Sequence, residues 1–176
     1  MQITELPIAG AFVMTPEFLR DERGFFARLY DRDEMAKRGA HTQFVQHSVS
    51  FNERRGTLRG LHYQAAPHAE AKVVRCTRGA IYDVIVDLRM ESPTFRRWLA
   101  AELTEDNRHS LYIPAGCAHG FVTLQDATEV HYQISARFDA SAARGVRWDD
   151  PAFAIEWPIA PVIMSDRDRT YEDYRI

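Results

Sequence analysis

The stretch from residue 44 to residue 136 constrains the fold most, because it reads as eight short β-type runs in quick succession: FVQHSVS, TLRGLHYQ, KVVRCT, AIYDVIVDL, RRWLAAEL, HSLYIPA, HGFVTL and EVHYQIS. Runs this close together have the spacing of a sandwich or barrel, here read as antiparallel. Turn chemistry separates them. Asn52-Glu53-Arg54-Arg55-Gly56, Arg78-Gly79, Glu91-Ser92-Pro93 and Pro114-Ala115-Gly116 supply the positive or fixed φ that a chain reversal needs. One helix stands out, from about Asp31 to Arg38, with an N-cap aspartate, acidic Asp33 and Glu34 in its first turn, basic Lys37 and Arg38 in its last, and Gly39 as the stop. No repeat, low-complexity tract or Pro/Gly/Ser linker divides the 176 residues. The expectation is one domain over 1–176: an all-β jelly-roll β-barrel with a few short peripheral helices, enclosing a pocket.

Charge and hydropathy then exclude partners. Lys and Arg number 22 against 25 Asp and Glu, a net charge of −3, so no excess of positive charge attracts nucleic acid or an anionic membrane surface. No uncharged stretch is long enough to cross a bilayer, and the start, MQITELPIAG, lacks the basic flank and apolar run of a secretory signal. A cytoplasmic location is expected. Cys76 and Cys117 stand apart in apolar strand-like contexts, which reads as two buried thiols rather than a disulfide or a metal pair.

Polar side chains that strand alternation places beside apolar neighbours are the candidates for pocket chemistry. Strict alternation puts Leu58, Gly60, His62 and Gln64 on one face and Arg59, Leu61 and Tyr63 on the other. Taken alone, His62 reads as a core histidine bonded to a carbonyl. Lys72, which opens the run with Val74 and Cys76, sits either at a strand end reaching water or in a site. Asp83 and Asp87 share a face with Ile81 and Ile85, and one of them is expected to order a neighbouring arginine or histidine. Tyr132, between Val130 and Ile134, reads as a core tyrosine with a satisfied hydroxyl.

The run Pro114-Ala115-Gly116-Cys117-Ala118-His119-Gly120 is similar to the second motif of the cupin barrels. A metal-binding cupin would bring His-x-His and a glutamate from its first motif. Here that stretch is His62-Tyr63-Gln64, with a poor ligand in second place, while His68 and Glu70 fall in a loop too late for the motif. A metal oxygenase is therefore the weakest of the readings.

Over nearly its whole length the chain resembles the dTDP-4-dehydrorhamnose 3,5-epimerase family. The segments that carry the resemblance are Asp21-Glu22-Arg23-Gly24-Phe25-Phe26, Thr57 to Gln64, Lys72 to Cys76, Asp83 to Arg89, Ser92-Pro93-Thr94-Phe95, Ile113 to Phe121, Glu129 to Tyr132, Gly145 to Pro151 and Ile155 to Pro158. The resemblance implies a cupin-type jelly roll with no metal and no cofactor, acting on a nucleotide sugar. It also implies a homodimer in which a strand near the N-terminus crosses to the neighbour. A 4-keto sugar has acidified hydrogens at C3 and C5, and inversion needs a base on one face, an acid on the other and positive charge near the enolate oxygen. By resemblance His62 is the base, steadied by Asp168; Tyr132 is the acid, and Lys72 sits near the enolate. Arg59 and Arg23 of the partner subunit clamp the diphosphate, Phe26 packs on the base, and Gln46, Ser48 and His119 give polar contacts.

Arg59 and His62 must then reach one ligand although strict alternation separates them, so a bulge or kink is expected around Gly60. Four positions depart from the family's commonest pattern. Arg28, Ser48 and Ala143 replace glutamate, asparagine and glutamate on the nucleotide side, making it more positive and opening the question of which base is bound. Phe138, after the Tyr132 strand, leaves open whether C3, C5 or both are inverted. The alternatives are the same chemistry on a different nucleotide sugar or at one carbon, and a non-catalytic cupin that only holds a nucleotide sugar.

Overall fold

A computed structural model describes residues 1–175. Its strands are β1 (Gln2–Glu5), β2 (Phe12–Thr15), β3 (Leu19–Asp21), β4 (Gly24–Phe26), β5 (Gln46–Asn52), β6 (Leu58–Gln64), β7 (Lys72–Arg78), β8 (Ala80–Asp87), β9 (Trp98–Thr104), β10 (Ser110–Ile113), β11 (Cys117–Thr123), β12 (Thr128–Ile134) and β13 (Ala143–Gly145). The helices are α1 (Arg32–Ala36) and α2 (Asp166–Arg169). A six-stranded sheet runs β1-β2-β10-β7-β12-β5, a five-stranded sheet runs β13-β6-β11-β8-β9, and β3 pairs only with β4. All these strand pairs are antiparallel. The two large sheets form the jelly roll that the strand spacing predicts.

The eight expected runs all appear as strands, shifted by a residue or two at their ends. Strands β1 to β4, β13 and helix α2 are additions. Each is three or four residues long, too short for a periodic pattern to register. Helix α1 starts where expected, with the Asp31 side chain accepting from the Asp33 and Glu34 N–H groups, but it closes at Ala36 with Lys37 as its C-cap.

Between the sheets, Val74, Cys76, Leu111, Ile113 and Val130 meet Ile81, Ile85, Leu103 and Phe121 in the main core. Strand β8 is covered on both faces, since Val84 and Val86 point outward into a second cluster with Phe153 and Ile155. Its near-continuous apolar sequence follows from that. A third cluster, Phe12, Met14, Val73 and Tyr112 with Met35 of α1, covers one end of the outer face of the six-stranded sheet. At the other end Val49 and Phe51 of β5 stay 61% and 49% exposed. Cys76 and Cys117 are buried and free. Among the described residues no helix is long and apolar enough to cross a membrane.

The expected bulge is present. On β11, His119 pairs with His62 and Phe121 with Arg59, so Gly60 and Leu61 together stand opposite Gly120. Gly60 has φ +119° and lies so close to β11 that a Cβ on it would meet the Gly120 Cα at 2.5 Å. Only glycine fits there. Because His119 and Phe121 share a face, their partners His62 and Arg59 now share one too.

Candidate active site

A cavity of about 600 Å³ lies between the sheets. Strands β6 and β11 of the five-stranded sheet contribute Arg59, His62 and His119 to its lining; β5, β7 and β12 of the six-stranded sheet contribute Gln46, Ser48, Lys72 and Tyr132. Asp168, from α2, closes one side. All four of the side chains expected to carry chemistry thus meet at one cavity, His62 on one wall and Tyr132 on the other.

His62 Nε2 lies 2.5 Å from Asp168 Oδ1, with the His62 side chain 42% exposed and that of Asp168 only 4%. The Asp168 Oδ2 accepts from the Gly60 N–H at 3.3 Å, so the bulge that turns His62 inward also anchors its carboxylate. Ser165 caps α2 by accepting from the Asp168 N–H. Burial pushes the Asp168 carboxyl up, but the bond and charge of His62, with the Gly60 and Ser165 contacts, outweigh it and hold the group below its ordinary value. A carboxylate fixed at Nε2 selects the tautomer protonated there and leaves Nδ1 as the ring's acceptor.

Lys72 donates to the His62 carbonyl at 3.3 Å and pairs with Glu70 at 3.0 Å. The Tyr132 hydroxyl lies 3.0 Å from Ser50 Oγ, and burial pushes it well above the usual phenol range in spite of that bond. It keeps its proton at neutral pH. His119 faces the cavity edge, with its ring 6.3 Å from that of Tyr132, but its Nε2 is bonded to Asp83 at 2.7 Å and the two side chains are 5% and 0% exposed. One of Asp83 and Asp87 is expected from the sequence to order a neighbouring arginine or histidine, and both do: Asp83 holds His119, and Asp87 holds Arg89 at 2.8 Å. Burial drives the Asp83 carboxyl upward against the pull of His119 and Lys72, and its Oδ2 is buried with no partner among the described residues.

Arg59 donates from Nε to Asn52 Oδ1 at 2.7 Å and stands between the main cavity and a neighbouring cleft of about 380 Å³. Gln46 Oε1 accepts from the Phe138 N–H at 2.7 Å, so its amide supports the Phe138 loop as well as lining the cavity. Arg23 and Phe26 are not part of this chain's own cavity lining. They lie on the β3–β4 hairpin, the Arg23 side chain 85% exposed and Phe26 68% exposed. Arg28 faces Asp31 at 3.6 Å and adds no charge to the cavity of its own chain.

Two residues at the site were not singled out from the sequence. Glu70 read as loop, although its spacing of two from Lys72 would put both on one side of an extended segment. Tyr171 lays its ring 6.3 Å from that of His62 and over Gly145, where a Cβ would come within 2.3 Å of it. The signal was the glycine, which pairs directly with His62.

The arrangement can remove a proton from one side of a bound ring and return one on the other. Comparison with known proteins agrees. The family profile described as dTDP-4-dehydrorhamnose 3,5-epimerase matches residues 5–175. The dTDP-4-dehydrorhamnose 3,5-epimerase of Sinorhizobium fredii is 41% identical over 169 residues, covering 96% of this chain and 87% of its own. Among solved structures, the enzyme of that name from Bacillus anthracis, with TDP and PPi bound, superposes with a TM-score of 0.93 at 40% identity, covering 98% of this chain and 99% of that one. The dTDP-6-deoxy-D-glucose-3,5-epimerase of Legionella pneumophila, in complex with dTDP-4-keto-L-rhamnose, gives 0.88 at 32% identity, covering 96% and 89%.

Proposed function

The chain belongs to the dTDP-4-dehydrorhamnose 3,5-epimerase family, and from that premise we propose how its residues epimerise a nucleotide-linked 4-keto-6-deoxy sugar at C3 and C5. Neutral His62 takes the proton from the carbon beside the ketone and becomes an imidazolium, which Asp168 stabilises. The electron pair left behind moves onto the ketone oxygen, and the Lys72 ammonium balances the enolate charge. Tyr132 then returns a proton to the same carbon from the opposite face. Proton exchange with water restores His62 and Tyr132, and a second cycle treats the other carbon. The observation that carries this reading is the placement of His62 and Tyr132 on facing sheets of one cavity.

Arg59 clamps the diphosphate on the His62 side of the cavity, with Gln46, Ser48 and His119 as polar neighbours. Arg23 and Phe26 come from a second copy, which makes the working unit a homodimer with an exchanged N-terminal strand. Two features support this: both residues are exposed and away from their own chain's cavity, and the outer face of β5 carries uncovered Val49 and Phe51. The whole chain acts as one domain, and it works in the cytoplasm.

Deuterium exchange tests the chemistry. In D₂O the protein is expected to place deuterium at C3 and C5 of the dTDP-linked 4-keto-6-deoxy sugar, and CDP- and GDP-linked analogues run in parallel report nucleotide choice. No exchange with any of them overturns the reading. Mixing inactive His62→Ala with inactive Arg23→Ala chains tests sharing of sites, since random re-pairing of dimers rebuilds about a quarter of the sites. Absence of any regained activity after the subunits have exchanged sinks the shared site.

A further inference from the structure

Resting on that role for Lys72, we infer that Glu70 is a positioning residue, which aims the Lys72 ammonium into the cavity. Glu70 lies two residues before Lys72, just ahead of β7, and its carboxylate meets the ammonium at 3.0 Å with both side chains only 10% exposed. Both line the cavity. A pair this enclosed is unlike the solvated surface pairs whose geometry counts for little. The ammonium has three N–H donors. One goes to Glu70 and a second to the His62 carbonyl at 3.3 Å, which leaves one for a ligand.

Lysine is a compact charge on a flexible stem, with no preferred direction of its own. Two fixed acceptors supply that direction, and the second ties it to the strand that carries the proposed base. A competitor is close at hand. Asp83, whose carboxyl already feels the Lys72 charge, has a buried oxygen without a partner among the described residues. Glu70 holds the ammonium at the cavity against that pull.

The test measures solvent-deuterium exchange and net inversion on the dTDP-linked 4-keto sugar. Glu70→Ala is expected to lower kcat about tenfold to hundredfold through misplacement of the ammonium, with KM changed less than about threefold. Glu70→Gln, which keeps an acceptor oxygen, is expected to recover kcat to within about fivefold of wild type. In a Lys72→Met background, Glu70→Ala is expected to have no further effect, the signature of action through Lys72. Glu70→Met, which fills the space without an acceptor, carries the same comparison if the alanine variant does not fold. Wild-type kcat in Glu70→Ala overturns the inference, as does an undiminished effect without Lys72 or a glutamine variant as slow as the alanine one. A wild-type chain that exchanges no deuterium overturns the epimerase chemistry itself, which separates the two failures.

Discussion

His62 and His119 stand opposite each other in the β6–β11 register, and each is bonded to an aspartate, at 2.5 Å to Asp168 and 2.7 Å to Asp83. Their surroundings nevertheless drive the two carboxyls in opposite directions. Asp168 is buried, but it accepts from His62 and from the Gly60 N–H, and these bonds hold it below its ordinary value. Asp83 is buried more deeply, with one oxygen that has no partner among the described residues, and there desolvation wins and raises it. The histidines differ in access as well, 42% exposed against 5%. Identical chemical pairs thus acquire different capabilities. The open pair, with its carboxylate secured, is suited to stabilising an imidazolium formed during turnover; the sealed pair braces the wall beside Tyr132.

The largest expected effect tests that division directly. His62→Ala is expected to lower kcat/KM for exchange by about 10³-fold or more, as loss of a general base does, whereas His119→Asn costs about tenfold through misplaced neighbours. Equal losses in steady-state assays break the distinction. Next comes the opposite wall. Tyr132→Phe is expected to lower net inversion by about 10²-fold while leaving a larger share of proton washout at the carbon, because His62 still removes and returns a proton on its own side. Equal loss of washout and inversion, followed by NMR, assigns both transfers to one wall.

The smallest effect is on stability, and its sign differs between the pairs. Asp168, lowered in the folded state, contributes stability that is complete above the unfolded carboxylate value and fades as pH falls through the folded one. Asp83, raised in the folded state, does the reverse: its burial costs stability once pH rises past the unfolded value. Urea midpoints should therefore show Asp168→Asn losing stability relative to wild type as pH rises from about 2 to 4, and Asp83→Asn gaining as pH rises from about 4 to 7. Matching signs for the two variants break the comparison.

Much of the fold was legible because its causes are local. Turn residues at fixed places and alternating apolar positions mark the eight central strands, while the bulge at Gly60 is expected only because the family resemblance brings Arg59 and His62, on opposite faces by alternation, to one ligand. The short edge strands left no such trace. In the site, His62, Lys72 and Tyr132 could be picked out as polar residues on apolar faces, but each had a sound reading as core. Asp168 entered only through the family resemblance, since one carboxylate in a four-residue helix carries no signal of its own. Glu70 reads as loop because a position ahead of a strand reveals nothing about what its side chain turns back to touch.

The sequence by itself determined an antiparallel barrel and a stock of ionisable side chains beside apolar neighbours, because backbone sterics and side-chain alternation act over a few residues. Which carboxylate meets which histidine was decided by the tertiary structure, which joins His62 to Asp168 across 106 positions and His119 to Asp83 across 36. It also decided which pair stays open to the cavity and which is sealed. Desolvation depends on every element packed around a group, so proton affinities and access exist only once the sheets have closed on one another.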